Sequence, residues 1–126
     1  MAHRILVVDD EQYMHRLMRY HLARAGCLTL TASNGREGLD LATREAPDII
    51  ILDVMMAEMD GLTALQHLKK NEATRGIPVI IITANAHALT REQSEVSGAA
   101  GFFTKPFSPT RLILEIKRLL GEAVPD

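Results

Sequence analysis

Short apolar runs alternate along this chain with longer segments in which apolar residues recur at helical spacing. Three of the runs are continuously apolar, which is typical of strands buried on both faces of a parallel sheet. Another run alternates apolar and polar residues, and the last is a Phe-Phe-Thr sequence. The five predicted strands span residues 5–8, 28–32, 49–52, 79–82 and 102–104.

Five segments that follow these strands are predicted to be helices. The first and the last carry clear apolar stripes, whereas the segment at about 88–96 has the weakest pattern and is predicted as a short fourth helix. The cap signals are Gly26 after the first helix, Asn34 with Glu37 before the second, Asp60 before the third, and Ser108 with Pro109 before the fifth. The alternation predicts a (βα)5 fold of the α/β class, a three-layer sandwich with a central five-stranded parallel sheet.

Composition narrows the class of protein. A chain of 126 residues with 47% apolar and 24% charged residues has the size and balance of one globular domain. The net charge of −2, without a basic run, argues against direct nucleic-acid binding, and no apolar stretch has a length that predicts membrane insertion. The single Cys27 cannot form an internal disulfide and is expected to be a buried thiol. With no apolar secretory signal at the start, a cytoplasmic location is expected.

Polar side chains follow four of the predicted strands at the point where each strand ends. They are Asp9 and Asp10, Asp53, Thr83 and Lys105. Because parallel strands end at the same edge of a sheet, these groups are expected to lie together. Three carboxylates beside a hydroxyl and an ammonium are costly unless a cation and an anion complete the site. The arrangement therefore predicts phosphoryl transfer.

The residue types suggest a division of roles. Asp53 is the candidate nucleophile, Asp9 and Asp10 suit Mg²⁺, and Lys105 and Thr83 would contact phosphoryl oxygens. Each residue alone has a plainer interpretation: the aspartate pair as a helix cap, Asp53 as a turn residue, Thr83 as an ordinary strand residue, and Lys105 as a solvated loop lysine. Only their joint placement at the ends of buried strands favours a phosphoryl-transfer site over these plainer roles.

The chain resembles, from end to end, the receiver domain of two-component response regulators, and in particular the chemotaxis response regulators. The matching segments are residues 5–11 (Ile-Leu-Val-Val-Asp-Asp-Glu), 51–56 (Ile-Leu-Asp-Val-Met-Met), 59–61 (Met-Asp-Gly), 81–84 (Ile-Ile-Thr-Ala) and 104–107 (Thr-Lys-Pro-Phe). The resemblance implies one receiver domain over residues 1–126, with 121–126 as a tail or the start of a linker. It also implies a flavodoxin-like sheet with strand order 2-1-3-4-5.

The resemblance implies a role for each site residue. Asp53 would accept a phosphoryl group from a phosphohistidine on a sensor histidine kinase or a histidine phosphotransfer protein. Mg²⁺, or alternatively Mn²⁺, would be held by the residues Asp9, Asp10 and Asp53 and by the backbone carbonyl of Met55. A cis bond is implied between Lys105 and Pro106. Thr83 and Phe102 would form the switch, which changes the face formed by the fourth helix, the fifth strand and the fifth helix.

Some positions depart from the family pattern. Ala57 replaces a usual proline, and Ala100, Gly101 and Glu115 replace the charged residues that transcription-factor receivers use to dimerise. We therefore expect a monomer or weak dimer, as a stand-alone or differently coupled receiver with an unknown downstream target. Met55 and Asn85 occupy the two variable positions that tune the lifetime of the phosphorylated form.

Other functions are compatible with parts of the pattern. A haloacid-dehalogenase-type aspartyl phosphatase also uses an aspartyl nucleophile with Mg²⁺, but it requires a second carboxylate at the position where this chain has Met55. A flavin-binding module and a phosphorylation-independent scaffold are the remaining alternatives.

The histidines lack metal-ligand spacing and are expected to be solvated. On the first helix, Met14 and Met18 are expected in the core, or else, with His15, at the edge of a kinase-docking surface.

Overall fold

A five-stranded parallel sheet forms the centre of the protein. The structure is a computed structural model that describes residues 2–56, 61–84 and 98–121. Its strands are β1 (Arg4–Val8), β2 (Leu28–Ala32), β3 (Ile49–Asp53), β4 (Val79–Thr83) and β5 (Gly101–Thr104). They lie in the order β2-β1-β3-β4-β5, which confirms the predicted strand order.

Helices cover both faces of the sheet. The first, α1 (Gln12–Arg24), and the last helix (Pro109–Leu119) pack on one face, while α2 (Gly35–Glu45) and α3 (Gly61–Lys70) pack on the other. This arrangement confirms the predicted three-layer sandwich. The helix predicted at about 88–96 and the predicted cap Asp60 lie outside the described residues. No helix within the described ranges is long and apolar enough to cross a membrane.

The core consists of two apolar layers because successive strand side chains point to opposite faces. In β1, Leu6 and Val8 pack toward α2 and α3, whereas Ile5 and Val7 pack toward α1 and the last helix. Each large apolar side chain buried in this way contributes about 1.5–3 kcal/mol. Cys27 is buried in the layer beside α1, as predicted for an inert thiol.

The predicted helix ends are confirmed wherever the structure describes them. Gly26 follows α1 with a left-handed φ of 80°, which glycine adopts without strain. Asn34 caps α2, because its side chain accepts a hydrogen bond of 2.8 Å from the Glu37 N–H. The Glu37 carboxylate, however, accepts from the N–H of Ser33, one residue earlier than in a capping box. Ser108 caps the last helix in the same way as Asn34 caps α2.

Gly61 packs directly against the end of β3. Its N–H donates to the carbonyl of Val54 at 2.9 Å. A Cβ atom at this position would lie 2.4 Å from the carbonyl oxygen of Asp53 and 2.5 Å from the Cα of Val54. Only glycine therefore allows α3 to begin against the backbone that carries Asp53.

We expect Gly61→Ala to lower the free energy of unfolding by about 3 kcal/mol, because backbone rather than a flexible side chain must move to admit the methyl group. Urea denaturation measures the change. Gly76→Ala is the matched control, since a Cβ at Gly76 meets no atom within 4 Å. That variant is expected to change stability by less than about 0.5 kcal/mol. Equal unfolding midpoints for the two variants would contradict the close approach of Gly61.

Candidate functional site

The polar strand ends meet at the carboxyl edge of the sheet, as the parallel arrangement predicts. β1 leads into an acidic turn formed by Asp9, Asp10 and Glu11, and β3 ends with Asp53 beside it. The chain after β5 brings Lys105 to the same place, where its N–H donates to the Thr83 carbonyl at 2.8 Å. The connections from β1 and β3 leave toward opposite faces of the sheet here, which opens a crevice at this edge.

Lys105 is the centre of the charged cluster. Its Nζ lies 2.9 Å from Asp9 Oδ2, 3.1 Å from Glu11 Oε1 and 3.5 Å from Asp53 Oδ2. Burial alone would lower the pKa of Lys105. The hydrogen bonds that it donates to Asp9 and Glu11, together with the negative charges of Asp9 and Asp53, raise the pKa above its usual value. The ammonium therefore stays charged at neutral pH. The ring of Tyr13 adds a cation–π contact at 6.0 Å.

Asp53 is buried, with 3% of its surface exposed. Burial is the largest influence on its carboxyl group and raises its pKa, whereas the Met55 N–H, which donates to Oδ1 at 3.0 Å, lowers it. The charge of Asp9 raises the pKa further and Lys105 lowers it, with a net pKa of about 6. The carboxylate is thus costly to keep ionised, although it remains mostly ionised above neutral pH.

Four carboxylates could hold a metal ion at this site. Asp9, Asp10, Glu11 and Asp53 each offer an oxygen, and these oxygens lie within 4.8 Å of one another. Asp9 and Asp53 are buried, whereas Asp10 and Glu11 face solvent, so the cluster is open on one side. The residues present fit Mg²⁺, because this ion prefers oxygen ligands and keeps several of its waters. A divalent cation would also offset both the burial of the Asp53 charge and the repulsion from Asp9, which together raise the pKa of Asp53.

We expect the metal-free protein to lose stability as pH rises through the range in which Asp53 ionises. The folded pKa of about 6 lies above the unfolded value of 3.8, so protonation favours the folded state. The cost of ionised Asp53 is absent below pH 3.8, appears between pH 3.8 and 6, and is complete above that range. It amounts to at most about 3 kcal/mol, less whatever water at the open side screens.

Comparing Asp53→Asn with the wild type isolates the loss of stability caused by ionised Asp53, because the other titrating groups are common to both proteins. Urea denaturation in a chelator between pH 4.5 and 8 should show the variant gaining stability over the wild type as pH rises. A difference that is constant across this range would contradict the raised pKa of Asp53.

The remaining predicted site residues lie around this cluster. Thr83 ends β4 and is fully buried, and Phe102 on β5 is half-buried against the apolar layer beside α2 and α3. Met55, two residues after Asp53, is 49% exposed. The peptide bond between Lys105 and Pro106 is cis. Asn85 and Ala57 lie outside the described residues.

Two residues near the site have positions that the sequence pattern did not predict. Glu11 contacts Lys105 and belongs to the acidic cluster, and its position directly after the Asp9–Asp10 pair was the available signal. His15 is buried, with 5% of its surface exposed, so the expectation of solvated histidines is wrong for this residue. Its helical spacing from Met18 and Leu22, three and seven residues on, places it on the buried stripe of α1.

The proposed docking role of the α1 methionines is also corrected. Met14 and Met18 are each 1% exposed and, like His15, lie in the interior, so none of the three edges an exposed surface. The packing of the two methionines in the core is confirmed. On the last helix, Glu115 forms an ion pair with Arg118 of the same helix.

Comparison with known proteins identifies the family. The family model described as response regulator receiver domain matches residues 5–117. The alkaline phosphatase synthesis transcriptional regulatory protein PhoP of Bacillus subtilis is 37% identical over 120 residues, which cover 95% of this chain and 49% of that protein. The chain thus spans about half the length of the curated relatives it matches.

Solved structures agree with this result. The chemotaxis protein CheY4 of Vibrio cholerae is 28% identical with a TM-score of 0.86, covering 94% of this chain and 99% of that one. The signal receiver domain of a signal transduction histidine kinase from Syntrophus aciditrophicus is 36% identical with a TM-score of 0.85, covering 95% and 91%. This chain belongs to the response regulator receiver domains of two-component systems.

Proposed function

We propose that the domain is a phosphoacceptor, in which Asp53 takes a phosphoryl group from a phosphohistidine on a sensor histidine kinase or a histidine phosphotransfer protein. The observation that carries the proposal is the Asp53 carboxylate, buried beside the Lys105 ammonium and within the four-carboxylate cluster. A carboxylate with a pKa of about 6 is ionised and nucleophilic at the pH of most cells, and family membership supports the same role.

The hydrogen bonds of Asp53 distinguish its two oxygens. Oδ1 accepts the Met55 N–H, whereas Oδ2 faces Lys105. We therefore assign the attack on phosphorus to Oδ2. The new P–O bond forms as the P–N bond to the donor imidazole breaks, and the imidazole keeps that electron pair and takes up a proton. The product is an acyl phosphate on Asp53.

Charge neutralisation is the main demand of this reaction, because an anion attacks an anion. Lys105 is within 3.5 Å of Oδ2, so its ammonium can pair with a phosphoryl oxygen once the group is attached. The Thr83 hydroxyl would donate to a second oxygen. Asp9, Asp10, Asp53 and the backbone carbonyl of Met55 would hold Mg²⁺, or Mn²⁺, which supplies the remaining positive charge when bound.

A signalling output follows from the same residues. Drawing Thr83 toward the phosphoryl group would vacate space that Phe102, half-buried on the neighbouring strand, can fill. Such a two-state movement would change the face formed by the predicted helix at about 88–96, β5 and the last helix, and so alter binding of a target. In this role the domain is a signalling module, whose only chemistry is its own phosphorylation and autodephosphorylation.

The partners and setting are proposed on the same basis. A cytoplasmic receiver over residues 1–126, monomeric or weakly dimeric, would meet a kinase or phosphotransfer protein and pass the signal to a target. The protein PhoP is named a transcriptional regulatory protein, so we infer that the target acts in the regulation of transcription. The net charge of −2 does not favour direct nucleic-acid binding by the domain itself.

Incubation of the purified protein with a radiolabelled acyl phosphate tests the proposal. We expect up to one phosphoryl group per chain, only in the presence of Mg²⁺ or Mn²⁺, labile to hydroxylamine and mapped by peptide mass spectrometry to Asp53. Sustained hydrolysis of added phosphoesters would instead indicate an aspartyl phosphatase. Absence of labelling with a folded, metal-binding protein would favour a phosphorylation-independent scaffold.

A further inference from the structure

His15 belongs to α1, and its ring contacts the backbone at the ends of β1 and β2. Among the described histidines it alone is buried. Its Nε2 lies 2.7 Å from the carbonyl oxygen of Asp9 and 3.2 Å from that of Ala32. Carbonyl oxygens only accept hydrogen bonds, so Nε2 must carry the proton and donate it to them.

These two hydrogen bonds join the ends of β1 and β2 to α1. The Ala32 carbonyl also accepts a hydrogen bond from the Asp9 N–H at 3.0 Å, so both the N–H and the carbonyl of Asp9 are fixed by hydrogen bonds. The side chain of Asp9 in turn accepts the Glu11 N–H through Oδ1 at 2.9 Å and faces Lys105 through Oδ2. The orientation of the acidic turn therefore depends on the Asp9 backbone that His15 holds.

Lys105 and the Glu11 N–H hold side chains of this turn, but the start of α1 adds no capping contact. Glu11 is the N-cap residue of α1, but its side chain makes no capping hydrogen bond, and the first turn of the helix has no acidic residue. Repulsion among Asp9, Asp10 and Glu11 favours opening of this turn when no metal ion is bound. A buried donor that fixes the Asp9 carbonyl opposes that opening.

We propose that His15 is a positioning residue for the metal site, which pre-organises the acidic turn through the Asp9 carbonyl before Mg²⁺ binds. The inference rests on the proposed function, since it assigns Mg²⁺ to this turn. Groups that orient metal ligands in this way typically contribute ten- to a hundredfold to metal affinity.

The test compares His15→Leu, which removes the donor at similar volume, with His15→Gln, whose side-chain amide places a donor close to the position of Nε2. Titration calorimetry should show the Mg²⁺ dissociation constant rising about tenfold in His15→Leu. His15→Gln should recover most of that loss. His67→Leu, at an exposed histidine on α3, should bind Mg²⁺ as the wild type does. Wild-type affinity in His15→Leu, or equal losses in both His15 variants, would overturn the proposal.

Amide hydrogen exchange in the metal-free protein gives a second readout. His15→Leu should accelerate exchange at Asp9 and Glu11 while leaving Ile50, a core amide bonded to the Pro78 carbonyl, unchanged. Equal acceleration at all three amides would indicate general destabilisation and overturn the proposal. If the wild type binds no Mg²⁺, the metal part of the proposed function fails, and the exchange pattern still decides whether His15 orders the turn.

Discussion

Asp53→Asn is expected to abolish uptake of a phosphoryl group from an acyl phosphate while the fold is retained. The amide lacks the nucleophilic oxygen anion that Asp53, buried at the end of β3, presents beside Lys105. Radiolabel incorporation in the presence of Mg²⁺ measures the effect. Urea denaturation above pH 7 should find the metal-free variant at least as stable as the wild type, because the costly buried charge is gone.

The matched control is Asp40→Asn, which neutralises an exposed aspartate on α2 and should be labelled like the wild type. Label that persists in Asp53→Asn, and maps to another residue of the acidic cluster, would move the acceptor elsewhere. Label lost equally in both variants would point to an effect of net charge rather than to a specific nucleophile.

Replacing Lys105 by Met is expected to have the second-largest effect on phosphoryl uptake. The ammonium contacts three carboxylates and would stabilise the charge on the transferred group, so we expect the labelling rate to fall roughly a hundredfold. The metal-free protein should also lose about 2 kcal/mol of stability at pH 7.5. The loss is smaller than for a fully enclosed ion pair because Glu11 faces water.

A double-mutant cycle separates the electrostatic effect from simple loss of packing. Asp53→Asn should stabilise the Lys105→Met protein by more than it stabilises the wild type, since the buried carboxylate then has no cation beside it. Lys70→Met, at an exposed lysine on α3, is the control for loss of one positive charge. Additive effects of the two site substitutions, or an unchanged labelling rate in Lys105→Met, would show that Lys105 and Asp53 are not coupled.

The location of the site could be predicted because it follows from the rules of parallel sheets. Runs such as Val79–Thr83 are apolar without alternation, so they must be buried on both faces and connected by helices, which makes them parallel. Parallel strands end at one edge, and this alone brings Asp9, Asp53 and Lys105 together across large sequence separations. The helix ends followed from equally local chemistry, such as the Asn34 side chain at the start of α2.

The errors concern residues whose role depends on neighbours from other elements. His15 was expected in solvent because histidine is polar, but the carbonyls of Asp9 and Ala32 give it acceptors inside the protein. The Glu37 carboxylate accepts a hydrogen bond from the N–H of Ser33 rather than from that of the cap residue Asn34. Which N–H it reaches depends on the path of the chain that enters α2.

The sequence by itself determined the order of strands and helices along the chain, the buried core, and the sheet edge at which the charged and polar side chains lie. These features depend on the periodicity of apolar residues and on local turn and cap signals. Only the tertiary structure decided which carboxylates pair with Lys105 and how the pKa of Asp53 is shifted. Lys105 lies closer to Asp9 and Glu11 than to Asp53, and the pKa of Asp53 is raised rather than lowered beside a lysine. The physical reason is that electrostatic energies depend on burial and on separations of a few ångströms between distant parts of the chain, which no local pattern encodes.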